Sequence, residues 1–317
     1  MMRLDKMPEM REYVVTDLVG LRIDKVLSEL ESELSRSYIQ KIIKEGNVKV
    51  NQKIVKANYK VAAGDQIVFE VPELVELDIL PEKMDLDILY EDDDVILINK
   101  GKGMVVHPAA GHYSGTIVNG LLYHCQGQLS GINGVMRPGI VHRIDMNTTG
   151  VIVACKNDKA HRDLAEQLKQ HSITRKYNAI VYNCFQQEEG TIEGPIGRHP
   201  VDRKKMAINF RNGKDAVTHY RVLENLQGKY ALVECQLETG RTHQIRVHMA
   251  SIQHPLLGDD VYGPQKSPYH LQGQVLHARV LGFVHPTTKE YMEFEAPLPE
   301  YFQKLLKGLN STYLDEM

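Results

Sequence analysis

From Val95 onward the chain breaks into short runs rich in Val, Ile, Tyr and Phe, punctuated by Gly, Asn, Asp and Pro. Runs of this length and composition form strands rather than helices. They fall at residues 95–100, 103–108, 140–141, 151–154, 174–183, 216–223, 230–237, 275–285 and 290–297. Apolar residues at helical spacing occur over 160–171, 243–252 and 301–309. Strands outnumber helices and turn residues separate them, so the expected fold class is α+β with a mixed, mostly antiparallel sheet. At 317 residues the chain exceeds most single cores, and two domains are expected.

Within this region, Gly139 to Lys156 concentrates polar chemistry between two β-branched runs, Ile140-Val141 and Val151 to Ala154. The intervening loop, His142 to Gly150, holds one carboxylate, Asp145, beside a His and an Arg, and closes on Thr148-Thr149-Gly150. Hydroxyls and a Gly satisfy the backbone of a tight turn. The pattern fits a solvated hairpin corner, and equally a rigid mount for one reactive carboxylate.

Ahead of this body, Ile23, Val26, Leu27 and Leu30 have helical spacing, and Tyr38, Ile39, Ile42 and Ile43 give a second helix, which Ser35 caps and Gly46 stops. Val48 and Val50 alternate with polar residues, Asn51-Gln52 forms a turn, and Ile67 to Phe69 closes a small sheet. Arg36, Lys41, Lys44, Lys49 and Lys53 fall on and just after the second helix, where they can track a phosphate backbone or simply form a solvated face. The expected division is residues 1–73 as a small α/β unit, 74–88 as an acidic linker and 89–317 as the main body. Between Glu73 and Asp94 ten acids face only Lys83, a local charge of −9; removing it from the total of −3 leaves +6 elsewhere, which permits a polyanionic partner.

No apolar run approaches the roughly 20 residues of a membrane span, and the start, Met-Met-Arg-Leu-Asp-Lys, lacks a signal-peptide core. Cys125, Cys155, Cys184 and Cys235 form no C-x-x-C pair, which fits reduced thiols in a cytoplasm better than disulfides or a zinc site. There is no G-x-S-x-G, P-loop or H-E-x-x-H, and Gly101-Lys102-Gly103 lacks the third Gly of a dinucleotide fingerprint. His243, His248 and His254 do not share a helical face and read as hydrogen-bonding or packing residues. What remains is a set of polar clusters: Lys100 with His107-Pro108, the Asp145 loop, Lys176-Tyr177, and Leu237 to Arg246, in which Arg241 follows the Thr239-Gly240 turn. An Arg opposite Asp145 would hold it ionised and suited to nucleophilic attack, although a purely structural Asp145–Arg241 pair fits the same residues.

These clusters resemble the RluA-type pseudouridine synthases over nearly the whole body, from about Leu89 to Phe302. The matching residues are His142-Arg-Ile-Asp-Met-Asn-Thr-Thr-Gly150; Leu237-x-Thr-Gly-Arg-Thr-His-Gln-Ile-Arg-Val-His248; His254-Pro255-Leu-Leu-Gly258-Asp259; Lys176-Tyr177-x-Ala179; and Leu276-His277-Ala278. Ile144 stands where Leu is usual, and Gly101 where Pro often follows the Lys. The N-terminal unit resembles the αL-type RNA-binding domain named after ribosomal small-subunit protein four, through Arg22-Ile23-Asp24-Lys25, Ser35-Arg36-Ser37, Ile43, Gly46, Val48, Val50-Asn51 and Gly64-Asp65. The resemblance implies an isomerase that needs no cofactor or metal, with Asp145 as nucleophile, Arg241 paired to it, and Tyr177 stacked on the uracil and helping to remove the C5 proton. It implies that Arg143 fills the space left by an extruded base. Val106 to Gly120 is similar to the RluD branch, whose substrate is the helix 69 region of large-subunit ribosomal RNA. The partners so implied are that RNA and the assembling large subunit, and a monomer is expected. A catalytically silent ribosome-assembly factor and a base-excising glycosidase are the rival readings.

Overall fold

The computed structural model describes residues 9–31, 36–71, 79–109, 111–132, 137–202 and 205–315; the side chains of residues 9, 36–38, 41 and 71 lie outside that description. Two compact units divide after Glu76. In the first, β1 (Glu9–Val14) precedes α1 (Ile23–Leu30), α2 (Arg36–Lys44), β2 (Val48–Val50), β3 (Lys53–Ile54) and β4 (Gln66–Val71). The sheet runs β1-β4-β2-β3. Ile23, Val26 and Leu27 of α1 meet Ile39, Ile42 and Ile43 of α2 over Val48, Val50, Ile67 and Phe69, so the apolar spacing of both helices becomes one core. Leu30 remains 42% exposed.

The buried polar pairs of this unit are structural. Asp24 is fully buried and takes two bonds from the Arg22 guanidinium, at 2.9 and 3.1 Å, and one from Gln40 at 2.7 Å. Asp65 accepts from the Ala62 N–H, the Asn51 amide and the Tyr59 hydroxyl, and these bonds, the backbone one foremost, lower its pKa. Lys44, Lys49 and Lys53 are exposed. Arg36 and Lys41 sit on α2, but their side chains, like the Ser35 cap, lie outside the described residues.

The second unit begins with β5 (Ile88–Glu91), β6 (Val95–Lys100), α3 (Ile117–His124), β7 (Thr149–Cys155), α4 (Asp158–Lys169) and β8 (Thr174–Tyr182). It continues through β9 (Glu189–Glu193), β10 (Ile196–Arg198), β11 (Met206–Ile208), β12 (Val217–Leu226) and β13 (Tyr230–Leu237). Next come α5 (Gln244–Ser251), β14 (Leu276–Val284), β15 (Tyr291–Glu295) and α6 (Glu300–Gly308). One nine-stranded sheet runs β5-β6-β7-β14-β8-β13-β12-β9, with β15 added to β14, while β10 and β11 pair separately. Among the described strands of that sheet only β7 and β14 are parallel, so the expected α+β class with a mixed, mostly antiparallel sheet holds.

Four local readings change. Residues 103–108 form an irregular connection, not a strand, and Val105 and Val106 spend their carbonyls on the first N–H groups of α3. Helix α3 was not expected; its cap is a buried Thr116–Asn119 box. Ile140 makes a single bridge, to Ala154, in place of a strand. Finally, residues 79–88 are not linker. Leu80 and Glu82 hydrogen-bond Asn119, Asp87 pairs with Asn99, and Leu86 packs on the main core, so this ribbon belongs to the second unit. The acids are tolerated because partners divide them: Asp92 caps the Asp94 and Val95 N–H groups, and Glu91 meets Lys156 and His124. Residues 74–78 lie outside the described residues.

Candidate active site

The residues closing the Asp145 loop are all spent on holding it. Thr148 takes a bond from the buried Gln274 amide, and the Thr149 hydroxyl lies 2.9 Å from His277 Nδ1. Gly150 has φ +108°, and a Cβ there would stand 2.1 Å from the Ala278 carbonyl oxygen, so only glycine lets β7 run this close to β14. His142 supports the loop from the other end, its Nε2 accepting the Val153 N–H at 3.1 Å. Burial pulls this imidazole down to about 3, which keeps it an acceptor. Behind the loop, Lys100 is 1% exposed and donates to three carbonyls, Gly101, Met104 and Met146, at 2.8–2.9 Å. Three acceptors use all three ammonium hydrogens; burial pulls Lys100 down to about 7, and the charge of Asp145 opposes that shift.

Asp145 itself is 20% exposed and is held from α5, not from the turn before it. Arg246 Nη1 donates to Asp145 Oδ2 at 3.1 Å, while the same guanidinium grips Asp259 through Nε at 2.7 Å and Nη2 at 2.9 Å. Burial works against this guanidinium charge, but the Asp259 bonds and then Asp145 outweigh it and raise its pKa. Asp259 is lowered for the converse reason: burial would raise it, and the Arg246 bonds and two backbone N–H groups prevail. Arg241, the expected partner of Asp145, instead directs its Nε to the Asp215 carbonyl at 2.9 Å. The physical reason is the helix: Gln244 accepts from the Arg241 N–H, turning Arg241 away along the cleft, and Arg246 sits two residues on, within the first turn of α5.

A cleft of about 480 Å³ opens beside Asp145, lined by Tyr177, Arg143, Arg175, Arg241 and Leu276 among others. Tyr177 faces it from β8, is 8% exposed, and its phenol is held protonated chiefly by burial. Arg143 is exposed on the loop itself. A second hollow of about 330 Å³ adjoins the loop and shares Arg143, Asp145, His243 and Arg246 with the first. Sequence reasoning gave His243 a hydrogen-bonding or packing role; it is hydrogen-bonded, and it stands at the site. Tyr262 accepts the Met206 N–H, and its hydroxyl lies 2.8 Å from His243 Nδ1, with His243 Nε2 3.9 Å from Asp145 Oδ2. His248 is indeed a packing residue, bonded to Thr218 and the Gly194 carbonyl. His254 stacks on Phe185. The described residues contain no cluster of three His, Cys, Asp or Glu suited to a metal.

An arrangement of one anchored, accessible carboxylate and a buried Tyr over a base-sized cleft can attack and orient a planar heterocycle. A family model described as RNA pseudouridylate synthase matches residues 94–251, and one for the S4 domain matches residues 21–67. The uncharacterized RNA pseudouridine synthase YlyB of Bacillus subtilis is 57% identical over 91% of this chain and 94% of its own. The chain belongs to the RNA pseudouridine synthase family. The ribosomal large subunit pseudouridine synthase D of Zymomonas mobilis is 44% identical over 96% of this chain and 98% of its own. The solved human RNA pseudouridylate synthase domain containing 4 superposes with a TM-score of 0.54, at 27% identity, covering 70% of this chain and 92% of that one. As a pseudouridine synthase of RluD type the protein is an RNA-modifying isomerase with an S4 domain. No helix among the described residues is long and apolar enough to cross a membrane.

The synthase site also carries a pH dependence. His277 is fully buried between the Thr149 hydroxyl and the Ala296 carbonyl, and burial pulls it down to about 4. An unfolded imidazole titrates near 6.5. As pH falls below that value, the unfolded chain takes a proton that the folded chain refuses, so this contribution is complete above about 6.5 and lost down to about 4, at about 1.4 kcal/mol per pH unit. Urea unfolding between pH 7.5 and 5 should therefore show stability falling with pH, and His277→Asn should flatten the slope. An unchanged slope would mean that His277 titrates freely.

Proposed function

We propose that this synthase converts specific uridines of large-subunit ribosomal RNA, in the helix 69 region, to pseudouridine, with Asp145 as the nucleophile. The observation that carries the reading is the Asp145–Arg246–Asp259 arrangement at the cleft beneath Tyr177, where only Asp145 of the two carboxylates is open to a substrate. The target uridine leaves its stack, at a cost of about a few kcal/mol, and Arg143 takes the vacated place, since guanidinium planes stack on bases. Asp145 attacks the extruded nucleotide, the C1′–N1 bond breaks, the uracil turns, C5 joins C1′, and the bond to Asp145 breaks to return the free carboxylate. The C5 proton departs and N1 ends protonated, so composition is unchanged. Tyr177 stacks on the ring and assists at C5; Arg246 fixes the carboxylate, and Arg241 faces the substrate. The choice of RNA rests on the names of relatives such as the Zymomonas mobilis enzyme and on the S4 domain, whose Lys44, Lys49 and Lys53, with Arg36 and Lys41 of α2, grip structured RNA in the assembling subunit.

Ribosomal RNA labelled with tritium at uracil C5 tests the reading. A synthase releases tritium to water and retains the base, a glycosidase frees uracil, and a silent assembly factor does neither. Pseudouridine mapping in cells with and without the protein then locates the sites; helix 69 uridines left unmodified only in its absence are the expected result. Removing residues 1–76 should lower kcat/KM on ribosomal RNA at least tenfold while thermal unfolding of the body moves little, because the body has its own core. Equal rates at the same sites would remove the S4 domain from substrate choice.

A further inference from the structure

Arg175 is the one buried guanidinium of the cleft that the mechanism leaves unused. It is 6% exposed, on β8 two residues before Tyr177, so both side chains leave the strand on the same face. Its guanidinium donates from Nη2 to the Glu238 carbonyl at 2.8 Å, and its Nε, also buried, has no partner among the described residues. Burying a cation without a counter-ion is costly, and an orphan buried N–H adds to that cost. The neighbouring turn is shaped around this side chain: a Cβ on Gly240 would lie 2.6 Å from Arg175 Nη1. The next residue is Arg241, which lines the same cleft and whose guanidinium, among the described residues, bonds to the Asp215 carbonyl. Among the described residues neither guanidinium has a carboxylate partner. Burial lowers the preference of Arg175 for its charge, and the neighbouring Arg241 charge lowers it further. A substrate anion relieves all three penalties together.

We propose that Arg175 and Arg241 form a subsite for one backbone phosphodiester next to the extruded uridine, seating it relative to Asp145 and Tyr177. Guanidinium forks bind phosphate oxygens with two parallel bonds, and charge-assisted bonds of this kind are about twice as strong as neutral ones. The subsite rests on the reading of the cleft as the uridine site.

The test uses the full-length enzyme and a synthetic stem-loop carrying the mapped target uridine, made with its natural linkages or with a neutral methylphosphonate either 5′ or 3′ to that uridine. Affinities are measured on Asp145→Asn protein with Arg175 and Arg241 intact, with Arg241→Gln, and with Arg175→Gln. One neutral linkage should weaken binding to the intact pair about tenfold and to either Gln variant less than twofold. Arg241 is partly exposed, so its variant keeps the test open if Arg175→Gln fails to fold. Equal losses in all three proteins, or no loss from either linkage, would overturn the subsite; equal losses would also place Arg175 as a support for Tyr177 alone. Failure of the unmutated enzyme to release tritium from any uridine would instead overturn the parent reading.

Discussion

Asp145→Asn should abolish tritium release from uracil C5 while leaving RNA binding within about threefold of the unmutated enzyme. The replacement keeps the shape, and the amide oxygen still accepts from Arg246 Nη1, so the loop geometry survives. What disappears is the negative charge and the nucleophilic oxygen pair. Loss of a covalent path should cost at least about a thousandfold, near 4 kcal/mol of barrier. The effect belongs in the chemical step: single-turnover rate falls, and the binding constant does not. Thermal unfolding of the variant checks that the fold is intact. Turnover persisting at more than a tenth of the original rate would sink the nucleophile assignment.

Arg246→Ala should produce the largest stability loss of any single change at the site. Asp259 is buried and would keep only the Val261 and Tyr262 N–H groups, with no counter-ion. Removing one partner of a buried pair costs about 3–5 kcal/mol, which for a body of this size lowers the unfolding midpoint by about 6–20 °C. Arg241→Ala, which breaks only a bond to a carbonyl, should cost about 1 kcal/mol. Combining Arg246→Ala with Asp259→Ala should cost less than the sum of the two, since the stranded charge is gone. Arg246→Lys keeps the charge but not the fork that spans both carboxylates, so activity should remain low where stability is partly restored. If Arg246→Ala unfolds at the same temperature as Arg241→Ala, the shared guanidinium is not what anchors Asp145.

Strands β6, β7, β8, β12, β13, β14 and β15 and three of the helices of the body were legible because their apolar spacing is local, and α4, α5 and α6 lie within two residues of the expected stretches; β5, β9, β10 and β11 were not. Helix α3 was not, since Gly120 interrupts it and its Thr116–Asn119 cap departs from the usual acidic box. Residues 79–88 misled through composition. Like charges and a proline suggest a linker, yet Glu82 accepts from the Gly115 N–H and Asp87 from the Asn99 amide, so these acids are docking points on the body. His243 was placed correctly as a hydrogen-bonding residue and still missed at the site, because its partner Tyr262 lies 19 residues away.

The loop that carries Asp145 is a property of the sequence alone: the β-branched run after it, the hydroxyls and Gly150 mark a tight turn with one carboxylate, and fit a solvated corner as well as a mounted one. Which arginine faces that carboxylate is not. Arg241 and Arg246 are five apart, and the spacing by itself favours neither. Only the tertiary structure turns α5 so that Arg246 reaches both Asp145 and Asp259 while Arg241 swings along the cleft toward Asp215. A helix start fixes where a side chain points, but the carboxylates that receive it come from segments about a hundred residues before and a dozen after, and only folding sets those distances.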